Sequence, residues 1–222
     1  MRGNSRKLPE PVFVSQFEMP EDVERRIANR VNEDMNEPEW NWCGICCVRM
    51  VLLGLGREAP SLEEMYRTAF DRYGVFRMVD GAVIGAYHKE LAVYVAGEFG
   101  FERAWTARGL TTDRVAELVS GDDSQYVIAS VSASIRELEG QEPEKKGGHL
   151  VLVYDVEDTD VGRVFILHNS AGFASTNTQR CVRVPEARFR DCFSGRAIII
   201  DDFKWRTDYT DPTDQTSVPY GT

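Results

Sequence analysis

The central segment of this chain reads Asn41-Trp42-Cys43-Gly44-Ile45-Cys46-Cys47-Val48-Arg49-Met50-Val51-Leu52-Leu53. Cys47, Val51 and Leu55 recur every four residues, and this spacing predicts a helix whose apolar face packs into a core. We expect Gly44 to let the backbone turn tightly beside Cys43. A thiol in the first turn of a helix lies near the positive end of the helix dipole, which favours the thiolate. The segment therefore predicts that Cys43 is a nucleophile.

Composition and charge argue against several classes of protein. The 222 residues are enough for one domain with a single core. The net charge of −10 argues against nucleic acid and against an anionic membrane surface, because both recruit basic proteins. No apolar run has the length of a membrane span, and no apolar block follows the basic N-terminus as in a signal peptide. Five irregularly spaced cysteines favour a reducing compartment, so we expect a cytoplasmic protein.

Helical patterns fill the first half of the chain and strand patterns fill the second half. Helices are predicted over residues 21–32, 44–54, 61–69, 89–99, 112–119 and 185–193, and strands over 126–131, 149–155, 163–168, 181–184 and 197–200. This order predicts an α+β fold with N-terminal helices packed on one side of a C-terminal antiparallel sheet. The domain is predicted over residues 13–202, between a flexible N-terminal arm at 1–12 and a flexible C-terminal tail at 203–222.

A base for the thiol is predicted in the strand-rich half. A thiol nucleophile needs a base, and the base needs a partner that orients it. His149 opens the apolar run 149–155, and Asn169 follows the apolar run 163–168 across a turn-rich link, a pattern typical of a hairpin. A hairpin places the start of its first strand beside the end of its second strand. We therefore expect Cys43, His149 and Asn169 to form a Cys-His-Asn triad.

Several segments of the chain, taken in order, resemble one known family. They are Trp42-Cys43-Gly44, Gly148-His149-Leu150-Val151-Leu152-Val153, Ile166-Leu167-His168-Asn169-Ser170-Ala171-Gly172, Val184-Pro185-Glu186-Ala187-Arg188-Phe189 and Phe193-Ser194-Gly195-Arg196-Ala197-Ile198-Ile199. Together they resemble the bacterial papain-fold cysteine peptidases of the bacteriocin-leader-processing type and their stand-alone relatives. The resemblance implies a papain-like α+β fold and cleavage of a peptide or amide bond through a thioester acyl-enzyme. It implies no metal and no cofactor, and a leader peptide is one candidate substrate.

The resemblance also directs attention to the oxyanion hole and to the walls of the cleft. Members of the family usually carry a Gln six residues before the nucleophile as an oxyanion donor. This chain has Glu37 there, and a carboxylate is a poor donor, so Asn36 and Asn41 are alternative candidates beside the backbone N–H of Cys43. Substrate contacts are expected from the following residues: Trp42, Gly44, His88, Gly147 and Gly148.

Two alternative functions follow from the same residues. Glu37 in place of Gln favours a catalytically weakened member that binds peptides or a partner protein. The triad would also serve acyl transfer to an amine instead of water, and the sequence does not separate transfer from hydrolysis.

Two further chemistries would use the cysteines differently. Trp42-Cys43-Gly44-Ile45-Cys46 is similar to a thioredoxin active site, but no apolar strand precedes it as that fold requires. A zinc site at Cys43 and Cys46 lacks a second Cys-x-x-Cys pair, because Cys181 and Cys192 lie too far apart. Residues predicted to have structural roles are Cys46, Cys47, His168, Cys181 and Cys192.

Overall fold

Six α-helices and eight strands follow one another in a computed structural model that describes residues 8–17, 19–29, 37–120 and 123–201. The helices are α1 (Asp22–Ala28), α2 (Cys43–Gly54), α3 (Leu62–Tyr73), α4 (His88–Phe99), α5 (Thr112–Ser120) and α6 (Glu186–Cys192). The strands are β1 (Arg77–Val79), β2 (Ala82–Ile84), β3 (Arg103–Arg108), β4 (Tyr126–Val131), β5 (His149–Thr159), β6 (Gly162–His168), β7 (Val182–Pro185) and β8 (Phe193–Asp201). None of the helices in these ranges has the length and hydropathy of a membrane-spanning segment.

A six-stranded antiparallel sheet forms the centre of the fold. Its strand order is β3-β8-β4-β5-β6-β7, and β1 with β2 makes a separate hairpin. Strands β5 and β6 pair as the predicted hairpin, with Leu152 opposite His168 and Thr159 opposite Gly162. The predicted α+β class is therefore confirmed, with N-terminal helices packed on an antiparallel sheet.

Helices cover both faces of this sheet. Helices α2, α3 and α4 contribute to one core with inward residues such as Ile128 and Leu152. Helices α5 and α6 pack on the opposite face, against residues such as Val127 and Val153. The expectation that the helices lie on one side only is wrong. The physical reason is visible in β4, whose six residues are all buried, as in a strand covered on both faces.

Gly44 leaves no room for a side chain between α2 and its neighbours. A Cβ atom added there would lie 2.9 Å from Leu91 Cδ2 and 3.0 Å from Leu150 Cδ1. Gly44 is inside the helix rather than in a turn before it, so the predicted reason for this glycine is wrong. Its role is close packing of α2 against α4 and β5.

The described part of the chain begins at residue 8, and its first residues are hydrogen-bonded to the domain. The N–H of Val12 donates to the carbonyl of Met50 at 3.3 Å, and the hydroxyl of Tyr126 donates to the carbonyl of Pro9 at 2.7 Å. Residues 1–7 of the predicted arm and the whole predicted tail at 203–222 lie outside the described residues. The domain boundaries stay a prediction.

Candidate active site

Cys43 is the first residue of α2 and is buried. A short 3-10 helix, Pro38–Asn41, brings the chain to it. Burial raises the pKa of the Cys43 thiol, and hydrogen bonds from the backbone N–H groups of Leu150 and Gly44 offset only part of this increase. The expectation that the helix start favours the thiolate therefore does not hold for the free protein, because desolvation outweighs the backbone dipoles.

His149 and Asn169 form a buried hydrogen-bonded pair. The Nε2 atom of His149 lies 2.8 Å from Oδ1 of Asn169, which also accepts the N–H of Ala171 at 3.1 Å. Because Oδ1 is an acceptor, His149 donates from Nε2 and keeps a lone pair on Nδ1. The side chains that the sequence predicts to be neighbours across the hairpin are in contact.

The surroundings of His149 favour its neutral form. Burial is the main cause that lowers the pKa of this imidazole to about 4, and the positive charge of Arg136 adds to the effect. The hydrogen bond that His149 donates to Asn169 raises the pKa and opposes this decrease only in part. At neutral pH the free site therefore contains a neutral thiol and a neutral imidazole.

The thiol and the imidazole lie on adjacent elements. Leu150, whose N–H reaches the Cys43 thiol, is the residue after His149 in β5. Within the described ranges the Cys43 sulfur and the His149 ring are not hydrogen-bonded to each other. The structure thus places sulfur, imidazole and carboxamide at one end of β5, with the last two in direct contact.

A cavity of about 330 Å³ opens beside His149. We call it the His149 cleft, and the residues that line it are Gln16, Phe17, Ile27, Trp40, Asn41, Val83, Ala133, Arg136, Gly148, His149 and Ala171. Two of the predicted substrate or oxyanion residues, Asn41 and Gly148, are among them. Gly147 and Gly148 both have a φ of +93°, so the entrance to β5 takes a backbone conformation that favours glycine.

Two predicted substrate contacts have other surroundings. Trp42 is buried and packs against Tyr66, with the ring centroids 5.8 Å apart. His88 is the first residue of α4, and its pKa is lowered by burial and by Arg196 and Arg108, which belong to β8 and β3. Neither side chain lines the His149 cleft.

Among the described residues predicted for the oxyanion hole, Asn41 lines the His149 cleft and Glu37 does not. Asn36 lies outside the described residues. Glu37 forms an ion pair with Arg26, so its carboxylate is already occupied. Asn41 lines the cleft, as described above, through a side chain that can donate hydrogen bonds.

Gln16 is a cleft residue that the sequence analysis missed. It is buried, its N–H donates to the carbonyl of Ser170 at 3.0 Å, and its Oε1 accepts the Ser170 hydroxyl at 3.5 Å. This leaves the Nε2 donors of Gln16 for the cleft that it lines. The available signal was a polar residue in the apolar run 12–17, far upstream of Cys43 and separated from it by α1.

Cys46 and Cys47 have core surroundings, whereas Cys181 is exposed. The thiol of Cys46 donates to the carbonyl of Ser15 at 3.6 Å, and the thiol of Cys47 donates to the carbonyl of Leu150 at 3.8 Å. Burial raises the pKa of both thiols. The segment before Cys43 is a 3-10 turn rather than a strand, which argues against a thioredoxin-like site.

One cluster of metal-type ligands occurs among the described residues, and it does not include Cys43. It contains Glu10, His168 and Cys181. Nε2 of His168 donates to the carbonyl of Pro11 at 2.8 Å, and Nδ1 accepts the N–H of Cys181 at 3.0 Å. Both ring nitrogens are therefore used in structural hydrogen bonds, which agrees with the structural role predicted for His168.

A comparison of this chain with solved structures found a similar peptidase domain. The chain is similar to the peptidase domain of Streptococcus ComA, a bi-functional ABC transporter involved in a quorum sensing pathway. The TM-score is 0.46 and the identity 16%, over 73% of this chain and 92% of that one. No family model and no curated protein matches this chain. A similarity this weak does not assign a function. The function is therefore inferred from the geometry of the site.

Proposed function

We propose that the protein is a cysteine hydrolase that cleaves a peptide or other amide bond. The observation that carries the proposal is the 2.8 Å hydrogen bond between His149 Nε2 and Asn169 Oδ1, next to the residue whose N–H reaches the Cys43 thiol. This arrangement leaves Nδ1 of His149 as the proton acceptor, and Asn169 holds the ring in that tautomer.

In the proposed mechanism His149 takes the proton of Cys43, and the thiolate attacks the carbonyl carbon of the substrate. The tetrahedral intermediate collapses to a thioester as His149 returns the proton to the leaving amine. A water molecule, deprotonated by the same ring, then attacks the thioester and releases the acid. Asn169 keeps the imidazole oriented through both steps.

The oxyanion of this intermediate is assigned to the backbone N–H of Cys43 and to the amide of Gln16. Gln16 is supported by its burial, its anchored Oε1 and its place in the His149 cleft. A side-chain amide offers N–H donors to a developing negative charge, which a carboxylate does not. Gln16 therefore replaces Glu37 as the leading side-chain candidate, and Asn41 is the alternative.

The neutral resting pair has a consequence for the order of events. Burial raises the pKa of Cys43 and lowers that of His149, so the ion pair is disfavoured in the free enzyme. Proton transfer then accompanies substrate binding, when oxyanion donors and substrate dipoles replace the missing solvation.

The proposal is tested by alkylation with iodoacetamide at neutral pH, with the modified cysteine identified by peptide mass spectrometry. Cys181 is exposed and would also react, so the experiment uses a Cys181→Ser background. We expect labelling at Cys43 that falls by at least about 10-fold in His149→Ala, because the base is lost. Equal labelling rates with and without His149 would contradict the proposal.

A catalytically weakened peptide-binding protein is the second candidate. It is favoured by the burial of Cys43 and by the missing hydrogen bond between its sulfur and the His149 ring. Turnover of a quenched peptide library that is abolished in His149→Ala would exclude it. Adding an amine such as glycinamide to the same reaction distinguishes hydrolysis from acyl transfer by the product formed.

A further inference from the structure

The segment between β4 and β5, residues 132–148, forms one wall of the His149 cleft, and we call it the wall segment. Ala133 and Arg136 of this segment line the cleft, and His149 follows directly after it. Residues 137–148 contain neither helix nor strand. A stretch without regular backbone pairing has many accessible conformations. The position of this wall therefore depends on contacts from other elements.

Helix α6 contacts the wall segment near both of its ends. The N–H of Ser132 donates to the carbonyl of Cys192 at 2.9 Å, and Nζ of Lys146 donates to the carbonyl of Arg190 at 3.2 Å. Between these two points Arg188 reaches the segment from the same helix. Because α6 packs on the face of the sheet opposite α2, the wall is held from the side away from the helix that carries the thiol.

Arg188 is a buried arginine, 4% exposed, whose guanidinium donates to four backbone carbonyls of the wall segment. Nε donates to Glu137 at 2.8 Å, Nη1 to Gly140 at 3.2 Å and to Gln141 at 2.7 Å, and Nη2 to Ser134 at 2.6 Å. A buried charge is costly unless hydrogen bonds replace its hydration, and bonds from a charged donor are strong. The burial of this guanidinium therefore requires that the four carbonyls stay in place together.

The wall segment approaches Arg188 closely at Gly140. A Cβ atom added to Gly140 would lie 2.6 Å from Nη2 of Arg188. A guanidinium presents its donors in a rigid planar fork, so the acceptors must lie at fixed positions around it. The ammonium of a lysine has no such fork. The contact thus selects one conformation of residues 134–141.

We propose that Arg188 is a positioning residue for the His149 cleft: its guanidinium fixes residues 134–141 and so keeps Arg136 in the cleft wall beside the imidazole. Arg188 is not a lining residue, and it acts through the wall segment. This inference rests on the proposed function, since the position of the wall affects catalysis only if the cleft binds the substrate of Cys43.

The test follows the imidazole titration of His149 by NMR in Arg188→Lys, which keeps the charge but loses the fork. Burial and the charge of Arg136 lower the pKa of His149. A displaced wall lets water reach the ring and moves that charge away, so the pKa should rise by at least about 0.5. A role in overall stability alone would lower the free energy of unfolding and leave the pKa of the folded protein unchanged. An unchanged pKa in folded Arg188→Lys would therefore overturn the proposal.

A second variant and a matched control accompany this measurement. Gly140→Ala disturbs the same contact from the wall segment and keeps the arginine, so it should raise the pKa of His149 even if Arg188→Lys does not fold. Arg57→Lys is the same chemical change at an arginine whose Nη1 donates to the carbonyl of Phe99 at 3.1 Å, beyond the C-terminal end of α2. It should leave the pKa unchanged, and an equal rise there would overturn the proposal.

Steady-state kinetics connect the wall to substrate binding. The probe is the peptide of the quenched library that the wild type cleaves fastest. We expect KM to rise by at least about 5-fold in Arg188→Lys and kcat to change less than KM, because the wall contacts the substrate while the pair of His149 and Asn169 is retained. An unchanged KM would overturn the proposal. If the wild type cleaves no peptide of the library, the proposed function falls, and the titration alone decides the role of Arg188.

Discussion

Arg26 pairs with Glu37 while its guanidinium lies 4.4 Å from the centre of the Phe17 ring and 5.4 Å from that of Trp40. The carboxylate that occupies the expected oxyanion position is thus engaged with a cation that is stacked on two aromatic residues. Since Phe17 and Trp40 also line the His149 cleft, this cluster supports the wall beside Gln16.

The first prediction concerns the oxyanion donor. Gln16→Glu is nearly isosteric but replaces the donor amide with a carboxylate, so we expect kcat on a peptide substrate to fall by about 100-fold. Glu37→Gln is the matched reverse change and should alter kcat by less than about 3-fold, because its side chain is not offered to the substrate. Steady-state kinetics of both variants give the answer. A large loss in Glu37→Gln with none in Gln16→Glu would reverse the assignment.

The second prediction concerns the orientation of His149. Asn169→Ala removes the partner of Nε2 and should lower the rate of Cys43 alkylation by at least about 10-fold, because the ring loses the group that orients it. Asn169→Asp keeps an acceptor and adds a negative charge, which raises the pKa of His149 by about 1 to 3 units. The imidazole titration followed by NMR measures this shift. An unchanged titration in Asn169→Asp would show that the two side chains are not paired in solution.

The third prediction concerns stability against acid. The pKa of His149 is about 4 in the fold, below its unfolded value, so the unfolded state binds more protons between the two values. The resulting stability is complete above the unfolded pKa and is lost as the pH falls. Its contribution to the free energy of unfolding should decrease by about 2 kcal/mol between pH 7 and pH 5. Urea unfolding of the wild type and of His149→Gln measures it as the difference between the two pH slopes. Identical slopes would contradict the assigned burial.

The fourth prediction concerns the packing of α2. In an open helix Gly→Ala stabilises by up to about 1 kcal/mol. At Gly44 the new Cβ would lie 2.9 Å from Leu91 Cδ2, so we expect overpacking to destabilise the protein by about 1 to 3 kcal/mol. Chemical denaturation checks the sign.

Leu91→Ala supplies the control for this change. Combined with Gly44→Ala, it should cost less than the sum of the two single substitutions, because the shortened side chain makes room for the new methyl group. Strictly additive effects would show that the two positions do not touch.

Local patterns in the sequence were sufficient to predict much of this fold. The capping box at Ser61 and Glu64 is present, with the N–H of Glu64 donating to Ser61 Oγ at 3.2 Å. The hairpin of β5 and β6 was predictable because each run carries its own apolar pattern. Strand β3 was missed because its exposed residues, such as Arg103 and Arg108, give it no apolar face to recognise.

The parts of the site that were missed depend on contacts between distant residues. Gln16 reaches the cleft only because its backbone pairs with Ser170, which no local spacing reveals. The protonation of Cys43 was predicted from its helix position alone, whereas burial under residues from other elements determines it. Spacing predicted the pair His149 and Asn169 because a hairpin converts sequence order directly into proximity.

The N-terminal segment is attached to the rest of the domain by hydrogen bonds with residues that are synthesised much later. Pro9 is hydrogen-bonded to Tyr126, Pro11 to His168, and Gln16 to Ser170. During translation these early residues leave the ribosome long before their partners exist. A nascent chain would therefore carry Cys43 without its cleft, and any hydrolytic capacity would arise only after β6 has emerged.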